Sequence, residues 1–125
     1  MIHLDTNFLI GAGQRGTRED RAVRRWLSGA KTVRVSSIAW AEYLCGPVSR
    51  AAVEDAAELV GEPVAFDALD ATLAAQLFNS GGRRRGTLLD SMIAATAIRS
   101  GAALATNNVA DFERFAVLGL SIAAL

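Results

Sequence analysis

Short apolar runs alternate with helix-like patterns along the whole chain. Five runs are typical of buried strands, at residues 2–4, 33–35, 64–66, 103–105 and 120–123. Between them, apolar residues recur at three- and four-residue intervals, as on one side of a helix. Strands that alternate with helices favour right-handed crossovers and a mostly parallel sheet covered on both faces. We therefore expect an α/β fold, a three-layer α/β/α sandwich with short central strands, in which the 125 residues form a single domain.

Residues that favour helix ends support these boundaries. A Ser, Thr or Asp precedes five of the helical patterns: Thr17, Ser36 or Ser37, Ser49, Asp67 and Thr87. The pattern from Thr87 to Arg99 is apolar nearly all round, which predicts a central, buried helix. The GAGQRG segment at 11–16 matches a dinucleotide-binding fingerprint by its letters. No strand runs directly into it and no acid ends the following strand about 20 residues on, so we interpret it as a loop.

The composition excludes several classes of protein. No apolar run approaches the ~20 residues that span a bilayer, and the first residues lack the pattern of a signal peptide. Cys45 and His3 are each the only residue of their type, which excludes a disulfide framework and a Cys or His metal site. A cytoplasmic protein is the simplest interpretation. The formal net charge of zero gives no overall attraction to nucleic acid.

The basic residues are nonetheless distinctive. Of 13 Lys and Arg residues, Lys31 is the only lysine, and arginine has the planar fork that suits phosphate. Four arginines share one side of the helix that follows Thr17, and three more, Arg83, Arg84 and Arg85, stand in a glycine-flanked loop just before the apolar helix. Either group could be a solvated surface, and either could contact the backbone of a nucleic acid.

Four acids occupy similar settings near strand ends. Asp5 follows the first strand, Glu42 lies on the helix after the second, Asp90 is one turn into the apolar helix, and Asp111 follows the 103–105 strand. Each has a structural explanation as a helix cap, a helix-dipole partner or half of a buried pair. In a parallel sheet, however, the segments that follow the strands meet at one edge, which is where ligands bind in open α/β sheets. We expect at least three of the four to converge around Asp5.

Several carboxylates packed together repel one another unless a cation lies among them. Oxygen ligands without His or Cys favour Mg²⁺, with Mn²⁺ as a possible substitute. Such a site can activate water and bind a phosphoryl group. Four polar residues beside these acids would contact the ligands, water or phosphate: Thr6, Asn7, Thr106 and Asn107.

In these stretches the sequence resembles the PIN-domain ribonucleases, and among them the VapC-type toxins of type II toxin–antitoxin pairs. The resemblance is carried by HLDTN with Asp5, SSIAWAE ending in Glu42, TLLDSMIAATA with Asp90, and ATNNVADF with Asp111. These motifs run in the family's order and cover essentially the whole chain.

The resemblance implies a Mg²⁺-dependent endoribonuclease that leaves 5′-phosphate and 3′-hydroxyl ends. Asp5 and Asp90 match the principal metal ligands, Glu42 the acid that completes the cluster, and Asp111 the more variable fourth acid. The Asn107–Asn108 pair stands where some members carry another acid. The resemblance also implies homodimerisation and a cognate VapB-type antitoxin that occupies the active-site groove.

Two other functions remain open on the sequence. A phosphotransferase with an aspartyl nucleophile could use Asp5, but such enzymes usually have a second acid two residues later and a positioned lysine. Here Asn7 holds that position and Lys31 stands near the second strand. The other alternative is a non-catalytic module that binds RNA or protein and has kept the fold. The presence of all four acids argues against this alternative.

Overall fold

The computed structural model describes residues 1–83 and 87–125. Its strands are β1 (Ile2–Leu4), β2 (Val33–Arg34), β3 (Ala103–Ala105) and β4 (Ser121–Ile122). Its α-helices are α1 (Thr6–Ala12), α2 (Arg18–Ser28), α3 (Ser37–Cys45), α4 (Arg50–Val60), α5 (Ala68–Ser80), α6 (Leu88–Arg99) and α7 (Val109–Phe112), and a 3₁₀ helix follows at Glu113–Leu118. No helix in the described ranges is long and apolar enough to cross a membrane.

The four strands form one parallel sheet in the order β2-β1-β3-β4. In the register, Ile2 lies beside Val33 on one side and Ala103 on the other. The ladder ends where the Asp5 N–H donates to Ala105 O at 3.0 Å. The α/β fold class predicted from the sequence, with helices flanking a short parallel sheet, is therefore confirmed.

The prediction of a strand at 64–66 is wrong. This segment makes one bridge, between Val64 and Ser36, closed by hydrogen bonds from Val64 N to Val35 O and from Ser37 N to Val64 O, both 2.8 Å. The apolar run is bounded by Pro63, which has no N–H to donate, and by Asp67, which starts α5. Val64 alone makes a bridge, and the Phe66 N–H donates to the Ser37 side chain instead.

Side-chain caps fix where the helices begin. Thr17, Ser36, Ser49 and Asp67 each accept a hydrogen bond from the backbone N–H three residues later, which confirms four of the predicted helix starts. The side-chain cap predicted at Thr87 is wrong, because the Thr87 side chain makes no cap hydrogen bond to α6. A cap of this kind contributes about 1 kcal/mol to helix stability. In α5 the cap is reciprocal, because Asp70 accepts from the Asp67 N–H in turn.

The core lies between the sheet and the helices that cover it. Leu4 and Leu104 of the sheet pack with Phe8 and Leu77 from the helices, and all four are fully buried. Six of the twelve residues of α6 are buried: Ser91, Ile93, Ala94, Ala95, Thr96 and Ala97. Helix α6 is therefore the central helix that its apolar sequence predicts, and its small side chains let neighbouring elements approach closely.

Candidate active site

Three of the four predicted acids meet at the carboxyl edge of the sheet. Asp5 directly follows β1, is 5% exposed, and accepts the Phe8 N–H on Oδ1 at 2.8 Å, so it also caps α1. Glu42 lies on α3, and Asp90 lies in the first turn of α6. These three carboxylates line one cavity of about 120 Å³. The cap explanation for Asp5 is thus correct and does not compete with a functional role, because one carboxylate oxygen is enough for the cap.

The electrostatics of these carboxylates reflect their proximity. Burial raises the pKa of Asp5, and repulsion from Glu42 adds to the rise, against hydrogen bonds from Thr106 and the Phe8 N–H. Burial also raises the pKa of Asp90, and repulsion from Asp111, Glu42 and Asp5 adds to it. No acid of this group forms an ion pair within the described ranges. The cavity is therefore an acidic site without a matching cation in contact.

Asp111 takes a different position from the other three acids. It is exposed, lies in the short helix α7, and is absent from the residues that line the cavity. Its charge is nonetheless the strongest influence on Asp90 after burial. Asp111 is therefore an acid near the cavity rather than part of its wall.

The predicted polar residues divide into those that face the cavity and those that support it. Thr6 and Asn7 line the cavity, and the Thr6 hydroxyl donates to Glu42 Oε1 at 2.8 Å. Thr106 is buried, and its hydroxyl accepts the Asn108 N–H at 2.9 Å. Asn107 is exposed, is bonded to α2, and is not one of the lining residues.

Sequence reasoning missed four residues at this site. Asn108, Ile93 and Phe112 complete the cavity wall, and Arg114 lowers the pKa of Asp90 by its charge. Of these, Asn108 could have been predicted, because consecutive side chains point in different directions, so Asn107 and Asn108 could not both face the acids. Nothing local in the sequence marks Arg114, whose guanidinium lies over the Phe115 ring at 4.6 Å.

The predicted basic loop is described only at its start. Arg83 is exposed, has a φ of 55°, and donates to Asn79 Oδ1 at 3.2 Å while lying over the Phe78 ring. Its guanidinium thus contacts α5, the helix that precedes it. Arg84 and Arg85 lie outside the described residues, so their predicted contact with RNA stays a prediction.

Comparison with known proteins assigns the chain to a family. A family model described as PIN domain matches residues 2–118. The chain belongs to the PIN domain family. This confirms the resemblance seen in the sequence motifs, and places the acidic cavity in a PIN domain. No curated protein sequence matches the chain.

Solved structures share this PIN fold. VapBC2 from Rickettsia felis, bound to a DNA fragment from its promoter, matches with a TM-score of 0.72 and 26% identity over 91% of this chain and 92% of that chain. DNA-bound VapBC from Salmonella typhimurium matches with a TM-score of 0.71 and 26% identity, over 98% and 96%. VapC20 from Mycobacterium tuberculosis, a sarcin-ricin-loop-cleaving toxin, is 16% identical with a TM-score of 0.68 over 98% of each chain. At that identity the similarity to VapC20 concerns the fold alone.

The donor atoms of this PIN domain suit a hard divalent ion. The cavity presents carboxylate, hydroxyl and amide oxygens. The raised pKa values of Asp5 and Asp90 show that their charged forms are disfavoured, which a bound cation would reverse. Among the residues described, no three His, Cys, Asp or Glu side chains are placed so that they could hold an ion as they stand. An ion here would therefore complete its coordination with water, as Mg²⁺ commonly does, or draw the carboxylates together.

Proposed function

We propose that this PIN domain is a Mg²⁺-dependent endoribonuclease, the toxin of a toxin–antitoxin pair, that hydrolyses RNA to 5′-phosphate and 3′-hydroxyl ends. The observation that carries the proposal is the convergence of Asp5, Glu42 and Asp90 on one cavity in a PIN fold. Three carboxylates from three separate elements share this cavity, and none of them is paired with an arginine that the structure describes. A structural role would normally pair them, since an unpaired buried charge is costly.

Asp5, Glu42 and Asp90 would hold the ion. Bound Mg²⁺ would supply Lewis-acid activation of water and neutralise charge that develops on the phosphoryl group. The Phe8 N–H fixes Asp5 Oδ1, and the Thr6 hydroxyl holds Glu42 Oε1. Ile93 and Phe112 form an apolar side of the cavity, which limits water around the carboxylates and strengthens their attraction for a cation.

Asn7 and Asn108 bring side-chain amides to the cavity. Their amide groups can donate to phosphate oxygens without adding negative charge beside the acids. We assign them to positioning of the RNA backbone, with Arg83, Arg84 and Arg85 as further candidates for backbone contacts. Asp111 would act through its charge on Asp90.

The partners follow from the same proposal. An RNA phosphodiester is the substrate, and a VapB-type antitoxin would block the cavity until it is released. The VapBC complexes of Rickettsia felis and Salmonella typhimurium, both at 26% identity, support such a partner. We also propose a homodimer. The large apolar side chains that remain exposed, such as Leu69 at 62% and Val117 at 76%, support burial of some surface against another chain.

The test is cleavage of RNA by Asp5→Asn and Asp90→Asn variants in the presence of Mg²⁺. Asparagine caps a helix about as well as aspartate, so Asp5→Asn removes the charge and keeps the Phe8 contact. We expect both variants to lose activity by more than about 100-fold, while Glu54→Gln, at an exposed acid of α4, keeps it. Full activity in both Asp variants would contradict the proposal. RNA binding by the wild type without any cleavage would favour the non-catalytic module instead.

A further inference from the structure

Asn107 joins the first turn of α2 to the turn that precedes α7. Its side-chain amide donates to Glu19 Oε1 at 2.8 Å, and its carbonyl oxygen accepts from an Arg18 guanidinium nitrogen at 2.7 Å. Both hydrogen-bonding ends of one asparagine are thus engaged by adjacent residues of one helix. These contacts span almost ninety positions of sequence. They hold the 106–108 turn against an element that contributes nothing to the cavity wall.

The position of the Glu19 side chain depends on the absence of a side chain at Gly11. A Cβ built on Gly11 would lie 2.8 Å from Glu19 Cδ and 2.9 Å from its Oε2, closer than real contacts allow. The glycine near the end of α1 therefore leaves room for the carboxylate that reaches Asn107. Hydrogen bonding to its own backbone N–H and to Asn107 lowers the pKa of Glu19, so it is ionised at neutral pH. The glycine that resembles part of a nucleotide-binding fingerprint has a packing role here.

The turn that Asn107 holds carries two groups of the candidate active site. Thr106, on one side of it, hydrogen-bonds Asp5 and accepts the Asn108 N–H. Asn108, on the other side, lines the cavity. A displacement of Asn107 would therefore move a neighbour of the Asp5 carboxylate and a wall residue together. Because the three contacting side chains are near the surface, their bonds add little to the free energy of unfolding.

We propose that Arg18, Glu19 and Asn107 form a clamp, seated on Gly11, that positions the 106–108 turn and through it Asp5 and Asn108. The inference rests on the proposed nuclease function for its effect on catalysis, whereas the effect on the turn does not depend on that function. The three residues are positioning residues, since none of them lines the cavity. Arg18 is left out of the decisive variants because it lies on the arginine-rich side of α2.

The first experiment measures kcat and KM for RNA cleavage by Asn107→Ala, Glu19→Ala and the double variant. Groups that orient metal ligands typically contribute 10- to 100-fold to activity. We expect each single variant to lower kcat about tenfold with KM and the unfolding midpoint unchanged. The double variant should be no worse than either single one, because both remove the same contact.

Conservative and control variants separate positioning from charge. Glu19→Gln keeps an oxygen that accepts from Asn107 and should retain wild-type kcat, whereas Glu54→Ala removes an exposed acid elsewhere and should have no effect. Gly11→Ala should lower kcat although alanine favours helix, because its Cβ displaces Glu19. Gly29→Ala is its matched control, since a Cβ there meets nothing closer than 3.5 Å. Normal kcat in Asn107→Ala, Glu19→Ala and Gly11→Ala would overturn the catalytic role of the clamp.

Amide hydrogen exchange tests the clamp without reference to catalysis. The Asn108 N–H is bonded to the Thr106 hydroxyl, so its exchange reports on the turn. We expect faster exchange at Asn108 in Asn107→Ala, Glu19→Ala and Gly11→Ala, and wild-type exchange in Glu19→Gln and Gly29→Ala. Unchanged exchange in the first three would refute the clamp itself. If the wild type cleaves no RNA, the nuclease proposal fails, and these exchange rates still decide whether the clamp exists.

Discussion

Two clusters of acids in this molecule differ in whether an arginine pairs with them. At the start of α5, Asp67 and Asp70 both accept from one Arg99 nitrogen at 2.9 Å, and Asp70 is 2% exposed. At the carboxyl edge of the sheet, Asp5 is almost as deeply buried, at 5%, and no arginine of residues 1–83 and 87–125 is bonded to it. The first cluster has its cation within the chain and ties α5 to α6. The second lacks one, and that deficit is what makes it a candidate for binding a cation from solution.

The pKa directions express the same contrast. At the paired cluster, the Asp70 N–H and then Arg99 hold the pKa of Asp67 below its usual value. At the cavity, burial and neighbouring carboxylates raise the pKa of Asp5 and Asp90. Burial of an acid therefore does not by itself indicate its role in this fold. A structural acid and a functional one are distinguished by whether a partner of opposite charge comes with them.

The largest expected effect concerns activity at the cation-free cluster. Asp90→Asn should lower RNA cleavage by more than about 100-fold. The same change should leave the thermal midpoint of the metal-free protein unchanged or higher, because it removes repulsion with Asp111 and Glu42. Cleavage assays and thermal denaturation on the same preparation would check both parts. If Asp90→Asn were inactive because it is unfolded, Asp90 would have a structural role, and the contrast between the two clusters of acids would be wrong.

Metal binding should stabilise the protein only through the cavity. Saturating Mg²⁺, at about 100 times its dissociation constant, should raise the free energy of unfolding of the wild type by about 2.7 kcal/mol. In a variant that combines Asp5→Asn with Asp90→Asn, the increase should disappear. Urea unfolding with and without Mg²⁺ is the measurement, and Arg99→Met provides the control, since it should keep the full increase. A double variant that is stabilised equally would place the ion elsewhere.

Removal of the cation from the paired cluster should destabilise the fold. Arg99→Met leaves Asp70 buried beside Asp67 without compensation, and we expect a lower free energy of unfolding. The loss should be smaller than that for a fully buried pair, because the Arg99 side chain is 34% exposed. Arg50→Met removes an equivalent arginine from an exposed pair with Glu54 and should cost less than about 0.5 kcal/mol. Equal losses in the two variants, measured by urea unfolding, would remove the distinction between the clusters.

The smallest effect is a pH dependence of opposite sign at the two clusters. Asp5 and Asp90 have raised pKa values in the folded state, so their ionisation destabilises the fold. The free energy of unfolding of the metal-free protein should therefore fall as pH rises above 3.8, the ordinary aspartate value. The stability advantage of Asp5→Asn over the wild type should therefore grow between about pH 4 and pH 7. Asp67, with its lowered pKa, contributes stability above 3.8 that is lost as pH falls. The disadvantage of Arg99→Met should accordingly shrink toward low pH, and parallel unfolding curves at each pH would show whether it does.

Much of the fold was predictable because its signals are local. The caps at Thr17, Ser49 and Asp67 are hydrogen bonds to the backbone three residues away, so the sequence reveals them directly. The apolar periodicity of α6 likewise identified the central helix. The apolar run at 64–66 was wrongly predicted as a strand. A strand needs a neighbouring segment to pair with along its length, and in the fold this run makes only one bridge, with Ser36.

The candidate site was predictable to the level of its acids. Parallel topology brings the ends of β1 and β2 together, which is why Asp5 and Glu42 could be expected to share a cavity; Asp90 joins them because the start of α6 lies at the same edge. The same reasoning could not tell that Asn107 bonds to α2 while Asn108 faces the acids, because that choice depends on Arg18 and Glu19. It also could not place Arg114 near Asp90, since the two approach each other only after α6 and the 3₁₀ helix have packed.

By itself, the sequence determined the order of the helices and of the four strands that pair, most helix starts and the acids that end up near the sheet edge, because periodicity and capping act over a few residues. The tertiary structure alone decided which buried acids received an arginine and which did not. Arg99 reaches Asp70 across two packed helices, whereas no such cation reaches Asp5 in the described ranges. Charge compensation is a property of residues brought together by folding, and in this protein it separates the acids that hold the fold from those proposed to hold a metal.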